Sequence, residues 1–227
     1  MTSGQWVSAV PWRDGRIVSS CITMAQAGRA TTLFAVAAAS DKVVWAVGAN
    51  NTIVHTSDGG GTWVQQSVPT TVPPNTMFRD VAAASTLSAW VVGNDGVILR
   101  TVDGGQTWVR QNTPATQEPR AVSISGDDVW IVGRAGMILH FDGLNWTSYT
   151  GVTTQHLNDV AATQFSGIWI VGNNGALLLY DGVRWYQPST DETDDLDNVS
   201  VVGTNRGIEV WVTGSWRDPK VLGFSCR

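Results

Sequence analysis

Apolar residues form short runs along this chain, separated by polar stretches, and Gly, Asn or Asp bounds each run. Short runs of β-branched and aromatic residues predict strands, because amphipathic helices would space their apolar residues by three and four. The segment VVWAVGANNTIVHTSDGGGTWVQQ, which begins at Val43, recurs from Ser88 as SAWVVGNDGVILRTVDGGQTWVRQ. Further copies begin at Asp128, Gly167 and Glu209, and the last copy is partial. The chain is therefore a repeat protein.

One tryptophan anchors each copy, and the spacing of these tryptophans sets the architecture. The anchors are Trp45, Trp90, Trp130, Trp169 and Trp211, with steps of 45, 40, 39 and 42 residues. Each repeat predicts four strands, of which the first is small and apolar and the second carries the W-x-V-G pattern. The third is an apolar run, and the fourth opens with another tryptophan. This period predicts an all-β fold, a five-bladed β-propeller of four-stranded antiparallel blades.

The fifth repeat ends before its fourth strand, and the N-terminus offers a replacement. The segment SGQWVSAVP from Ser3 resembles GGQTWVRQNTP from Gly104, so we expect the N-terminal strand to complete the last blade. This three-plus-one arrangement would close the ring and hide the sheet edges. The prediction is a single domain over residues 1–227, with the closing strand at 1–10 and blades at 33–69, 77–114, 119–150, 156–188 and 196–227.

An Asp-Gly turn separates the third and fourth strands of the first four repeats. These turns read SDGGGTW, VDGGQTW, FDGLNW and YDGVRW. In such a turn the Asp accepts hydrogen bonds from nearby backbone amides, Gly supplies a positive φ, and Trp anchors the hairpin in the core. We therefore interpret Asp58, Asp103, Asp142 and Asp181 as turn residues and not as catalytic acids.

The combination of W-x-V-G with D-G-G-x-T-W resembles the Asp-box (BNR-type) propellers, and most closely the repeats of the photosystem II assembly factor family. This resemblance implies a propeller fold and a role in protein interaction or assembly. The sequence departs from the family in two ways. The assembly factors look like seven-bladed rings, and the Arg-rich patch expected in them has no dense counterpart along this chain. Five blades at this length are instead similar to tachylectin-type lectins.

The composition of the chain limits the classes of binding partner and the cellular locations that we expect. Charged residues make up 15% of the chain, the net charge is -5 and the pI is near 5.0, which disfavours nucleic acid and anionic membranes as partners. No apolar run reaches membrane-spanning length, and no signal peptide is evident. We expect a soluble protein, cytoplasmic by default, with non-classical secretion left open. Cys21 and Cys226 are either two thiols or a disulfide that joins the chain ends.

Motifs for catalysis and cofactors are absent from the sequence. It contains no G-x-S-x-G, phosphate-binding or dinucleotide-binding fingerprint, and its three histidines do not match zinc-site spacing. Glu and Tyr are too scarce for a sialidase or a paired-carboxylate glycosidase. The acidic run TDETDDLDN from Thr190 reads as a solvated loop, with a calcium loop as the alternative. We expect no catalytic residue, no metal site, no cofactor and no enzyme activity.

The loops between the second and third strands carry the candidate binding residues. In the first four repeats these are Asn50, Asn51, Asn94, Asp95, Arg134, Asn173 and Asn174. Asn and Asp beside Gly are explained by hairpin turns, and the same groups would also form a polar ring around the propeller axis.

The fifth of these loops is longer and carries Trp216, Arg217 and Asp218. An indole beside Arg and Asp suits either a sugar site or a protein hot spot. We expect the segment from Trp12 to Thr32 on the same face. The first functional hypothesis is a multivalent, lectin-like glycan-binding module, because of the blade count. The alternative is a protein-protein interaction or assembly scaffold.

Overall fold

A computed structural model describes residues 31–114, 117–163, 167–189, 192–204, 207–214 and 221–226. The predicted closing strand at residues 1–10 lies outside these ranges. So do Cys21 and the loop that carries Trp216, Arg217 and Asp218. In the described part of the chain no helix is long and apolar enough to cross a membrane.

Five antiparallel sheets follow one another along the chain. The first contains β1 (Leu33–Ala38), β2 (Val44–Gly48), β3 (Ile53–Thr56) and β4 (Val64–Gln65), and the second contains β5 (Phe78–Ala83), β6 (Ala89–Gly93), β7 (Val97–Thr101) and β8 (Val109–Arg110). The third contains β9 (Pro119–Ser125), β10 (Asp128–Gly133), β11 (Ile138–Phe141) and β12 (Trp146–Tyr149), and the fourth contains β13 (Leu157–Thr163), β14 (Gly167–Gly172), β15 (Leu177–Tyr180) and β16 (Trp185–Tyr186). The fifth has three described strands, β17 (Leu196–Thr204), β18 (Gly207–Gly214) and β19 (Val221–Cys226). The all-β prediction is confirmed, and so is the four-stranded antiparallel sheet for the first four repeats.

The first strand of each sheet places a small residue beside the anchor tryptophan. The partners of the five anchors, in chain order, are Ala37, Ala82, Ser123, Ala161 and Ser200. Cross-strand neighbours stand only a few ångströms apart, so a small side chain leaves room for the indole beside it. This is the physical reason for the small first strand of each repeat.

The glycine of the W-x-V-G pattern permits a close approach of two chain segments. A Cβ at Gly133 would lie 2.0 Å from the carbonyl oxygen of Glu118, and one at Gly172 would lie 2.2 Å from that of His156. Both contacts are far below van der Waals distance. Only glycine therefore lets the segment that precedes each first strand cross the end of the second strand.

Hydrophobic clusters fill the junctions between consecutive sheets. In each junction the anchor tryptophan of one sheet shares a cluster with a valine on the first strand of the next sheet. The tryptophans concerned are at most 4% exposed, and the valines are at most 8% exposed; these residues are Trp45, Trp90, Trp130 and Trp169 with Val81, Val122, Val160 and Val199. The core is therefore a series of repeated sheet-to-sheet contacts.

The first and fifth sheets each leave one such face open. Trp211 stands at the anchor position of the fifth sheet and is 43% exposed, whereas Val36 stands at the valine position of the first sheet and is 69% exposed. No cluster of described residues joins these two sheets. We call these two open faces the seam. Closure of a five-bladed ring stays a prediction.

Candidate functional site

The predicted loop residues fall into two groups, of which the first builds turns. Asn50, Asn51, Asp95 and Asn174 adopt φ values between 55° and 58°, the left-handed region that hairpin turns require. Asn51 does more, because its side-chain amide donates to the carbonyl oxygen of Pro73 at 2.9 Å and its Oδ1 accepts from the backbone N–H of Thr76 at 2.9 Å. The turn interpretation of these four residues is confirmed by their backbone angles.

The second group points its side chains into a shared polar cluster. Asn94 accepts a hydrogen bond through Oδ1 from Nε of Arg79 at 2.9 Å. Asn173 accepts through Oδ1 from the amide of Asn158 at 2.9 Å, and Arg134 forms an ion pair with Glu118 at 2.7 Å. The structure therefore links three predicted loop residues to partners on or just before first strands.

Arg79, Arg120 and Asn158 were missed because they lie on first strands and not in loops. They occupy one repeat position, two residues before the buried valine of each first strand. Phe34 and Asp197 hold that position in the first and fifth sheets. Comparing this position across repeats would have revealed two arginines in neighbouring sheets.

Arg120 stands at the centre of the polar cluster. Its guanidinium donates to Oδ1 of Asn158 on the next sheet. Partial burial lowers the pKa of Arg120, and the positive charges of Arg134 and Arg79 lower that pKa further. The charges of Arg79, on the second sheet, and Arg134, on the third, therefore both act on Arg120 at this end of the sheets. We call Arg79, Arg120 and Arg134 the arginine cluster.

The electrostatics of the arginine cluster suit a carboxylate ligand. Two internal carboxylates, those of Glu118 and Asp195, oppose the lowered pKa of Arg120, and Glu118 also pairs with Arg134. The side chain of Arg134 is 48% exposed, so its remaining donors face solvent. Guanidinium groups bind carboxylates through paired N–H donors. The cluster is thus a place where a peptide carboxylate finds several donors at once.

Two buried aspartates tie first strands together beneath this cluster. Asp80 accepts at 2.9 Å from the backbone N–H of Val122, which belongs to the next sheet, and Asp159 accepts in the same way from Val199 at 2.8 Å. Burial raises the pKa of Asp80 to about 6, and burial also raises the pKa of Asp159. These carboxylates connect neighbouring first strands and lie within the fold, so we assign them a structural role.

The opposite end of the sheets carries the Asp-Gly turns. Asp103 accepts from the backbone N–H of Thr107 at 2.9 Å and from the hydroxyl of Thr101 at 2.8 Å. Asp142 and Asp181 each accept from two backbone amides of their own turns. Hydrogen bonds from Thr62 and Thr56 lower the pKa of Asp58 to about 2. The turn interpretation is confirmed, with the threonine hydroxyls as an addition.

Histidine and arginine side chains beside the anchors stack on the indoles. His55 and His140 stack on Trp45 and Trp130 with ring centroids 4.7 Å and 4.2 Å apart. At the same repeat position the guanidinium of Arg100 lies 5.1 Å from the centroid of Trp90. Among the described residues, no group of three metal-ligating side chains comes together. This repeat position therefore stabilises the junctions by aromatic and cation–π contacts.

A sequence profile of one family matches the chain. The family is described as photosynthesis system II assembly factor YCF48, and the profile matches residues 16–100 and 71–151, which together span more than half of the chain. The chain belongs to the YCF48 family of BNR-type propellers. No curated protein sequence matches this family member.

Solved structures share the fold of this chain. A structure of YCF48 bound to a D1 peptide is 19% identical, with a TM-score of 0.63 over 84% of this chain and 65% of that one. YCF48 from Cyanidioschyzon merolae is 19% identical, with a TM-score of 0.61 over 85% and 68%. The GH74 enzyme of Niastella koreensis is 15% identical, with a TM-score of 0.62 over 97% and 36%. This family member thus spans about two thirds of the two YCF48 chains, and likeness at these identities shows the fold alone.

Proposed function

We propose that this chain is a non-enzymatic binding module that holds an extended, anionic segment of a protein partner at the arginine cluster. The observation that carries the proposal is the placement of three arginines at one end of the sheets, where Arg79 donates to Asn94, Arg120 donates to Asn158 and Arg134 pairs with Glu118. Burial and the charges of Arg134 and Arg79 lower the pKa of Arg120, and a carboxylate bound beside Arg120 would offset positive charge there. Family membership supports a protein ligand, because a YCF48 structure contains a D1 peptide.

The alternative hypothesis from the sequence is thus favoured over the first one. The lectin hypothesis depended on the blade count and on the loop with Trp216, which lies outside the described residues. None of the comparisons supports a carbohydrate ligand. The likeness to a GH74 enzyme shows fold only, at 15% identity. Protein binding therefore becomes the main functional proposal.

The proposal includes the architecture that presents the cluster. We propose that the five sheets are five blades around one axis. In this arrangement the loops that follow the second strands lie on one face of the ring, together with the first strands. Consecutive sheets contact each other through their first strands, which supports this arrangement. A rigid scaffold of this kind holds the donors in place before the ligand arrives, which reduces the entropy cost of binding.

The test is a titration with a labelled decapeptide in which alanine and glutamate alternate. The full chain should bind it, and binding should weaken as salt rises. Replacing both strand arginines, Arg79→Gln with Arg120→Gln, should weaken binding at least tenfold. The matched control is Lys42→Gln with Arg184→Gln, which also removes two positive charges, from exposed residues at the opposite end of the sheets.

A second peptide, with glutamine in place of glutamate, isolates the role of charge. The proposal is wrong if both peptides bind equally well, or if the variant with Lys42→Gln and Arg184→Gln loses as much affinity as the variant with Arg79→Gln and Arg120→Gln. Absence of any binding of the glutamate peptide to the unmodified chain would also reject the arginine cluster as a carboxylate site.

A further inference from the structure

The open face of the first sheet, on one side of the seam, corresponds to a face that the second sheet buries. In the second sheet the row of cross-strand neighbours Val81, Val91 and Leu99 is at most 4% exposed, and the anchor tryptophan of the first sheet shares their cluster. In the first sheet Val36 begins the corresponding row and is 69% exposed, and Phe34, two residues earlier, is also exposed. The first sheet therefore presents an apolar surface against which no other described sheet packs.

The internal junctions show what covers such a surface. In each of them the anchor tryptophan of the preceding sheet shares a cluster with the first-strand valine. Two junctions add a hydrogen bond, because Asp80 accepts from the backbone N–H of Val122 and Asp159 accepts from that of Val199. The preceding sheet thus supplies an indole and, at two junctions, a side-chain oxygen for the backbone of the valine.

The open face of the fifth sheet, on the other side of the seam, carries both features. Trp211 is its anchor tryptophan and is 43% exposed. Asn198 stands at the repeat position of Asp80 and Asp159, since each of these residues pairs with the residue two places after an anchor tryptophan. The amide nitrogen of Asn198 donates to the hydroxyl of Thr213 at 3.4 Å, and its Oδ1 is an acceptor, as the aspartate oxygens are. The fifth sheet therefore has the groups that receive a first strand.

This face of the fifth sheet is also more polar than the corresponding faces inside the protein. Thr213 is exposed and takes the place of valines that are fully buried at the internal junctions, namely Val47, Val92, Val132 and Val171. Asn198 is neutral, whereas burial raises the pKa of the aspartates at its position. Polar outer faces keep terminal repeats soluble, and interfaces between chains that also exist apart are less hydrophobic than permanent ones. The face thus suits a contact that forms and dissociates.

The two open faces of one chain do not cover each other. Val36 and Trp211 are exposed at the same time, and no cluster of described residues joins their sheets. A second copy of the chain offers each open face the kind of face that it lacks. Its fifth sheet carries the indole and the amide oxygen, and its first sheet carries the valine. Contacts between two different surfaces of identical chains are heterologous and join the chains head to tail.

We propose that copies of this chain associate head to tail, with the fifth sheet of one copy packed on the first sheet of the next. Trp211 then covers Val36 of the next copy, and Oδ1 of Asn198 accepts from the backbone N–H of that valine. The contact continues the series of internal junctions from one chain to another. The five blades of each copy form an open ring, and the arginine cluster takes no part in the contact.

Sedimentation velocity of the full chain, from micromolar to millimolar concentration, tests the association. The unmodified chain should sediment as a monomer at the lowest concentration, and as dimers and longer assemblies as the concentration rises. Val36→Glu on the first sheet and Thr213→Glu on the fifth should each weaken association at least tenfold, because each places a carboxylate in the contact. Both positions are exposed, so circular dichroism should show an unchanged fold.

The matched control is Val109→Glu, which adds the same charge at an exposed position on β8 of the second sheet. This variant should associate like the unmodified chain. If it loses as much association as Val36→Glu, the loss reflects net charge and the seam is rejected as the interface. An unmodified chain that stays monomeric at every concentration would also overturn the proposal, as would be found if the ring closes on itself or another part of the chain covers the seam.

A mixture of two variants distinguishes the head-to-tail contact from a contact between like faces. The Val36→Glu variant keeps an intact fifth sheet, and the Thr213→Glu variant keeps an intact first sheet. Mixed together, they should form dimers that contain one copy of each and no larger assembly. Absence of these mixed dimers, or unweakened dimers in either variant alone, would show that the contact is not head to tail.

Discussion

The junction between the second and third sheets and the seam use the same residue types at the same repeat positions, yet only the junction is packed. At the junction, Trp90 is 1% exposed, with Arg100 over its ring and Phe141 5.4 Å away between centroids. At the seam, Trp211 is 43% exposed and Val36 is 69% exposed. A repeat motif therefore specifies the residues on one side of the contact between two sheets. Its burial depends on the sheet that stands opposite.

Replacing Trp90 or Trp211 by alanine should lower the free energy of unfolding by clearly different amounts. Trp90→Ala should lower the free energy of unfolding by about 3–5 kcal/mol, because it removes a fully buried indole and leaves a cavity. Trp211→Ala should cost only about 1–2 kcal/mol, because much of that side chain is already in water. Urea unfolding followed by circular dichroism measures both values.

The unfolding cost of Trp211→Ala shows whether another surface covers the seam in solution. A cost equal to that of Trp90→Ala would show that the seam is covered in solution, as a closed ring requires. A cost well below it would show that the seam is open. Trp169→Ala, at another packed junction, is the matched control and should behave like Trp90→Ala.

The second prediction concerns pH and the carboxylate that joins the second and third sheets. Burial raises the pKa of Asp80 to about 6, above its ordinary value of 3.8, so the folded chain holds this proton more tightly than the unfolded chain. The resulting stability is present below pH 4 and is lost as the pH rises to about 6. Relative to an Asp80→Asn variant, the unmodified chain should therefore lose about 2 kcal/mol between pH 4 and pH 7.

Parallel unfolding curves at several pH values measure this difference. Asp103→Asn serves as a contrast, because hydrogen bonds from Thr107 lower the pKa of Asp103. Its contribution should therefore be lost as the pH falls, opposite in sign to that of Asp80. A pH-independent difference between the unmodified chain and Asp80→Asn would contradict the assigned burial.

Replacing Val81 or Val36 by alanine should change the stability by smaller amounts, which again differ between the two positions. Val81→Ala should cost about 2 kcal/mol, because Val81 packs in the first junction and the change removes two buried carbon atoms. Val36→Ala, the same change at the seam, should stay within about 0.5 kcal/mol. Thermal unfolding of the two variants side by side tests this. A cost for Val36→Ala close to that for Val81→Ala would mean that another surface packs on Val36.

Local chemistry explains which features were predictable from the sequence. The bonds of Asp142 to the N–H groups of Leu144 and Asn145 lie within four residues, so the turn motif alone revealed its role. The positive φ of Asn174 follows from hairpin chemistry in the same way. Arg79 and Arg120 are 41 positions apart, and nothing local marks them as neighbours. Their charges meet because consecutive first strands lie side by side.

The sequence by itself determined the repeat, the all-β class, the anchor tryptophans and the turns, because each depends on residues that are close along the chain. Only the tertiary structure decided which copies of a repeated residue are buried, as Val81 is and Val36 is not. It also brought the arginine cluster together. These properties depend on the sheet or segment that stands opposite, and a repeated sequence presents the same residues whether or not that neighbour is in place.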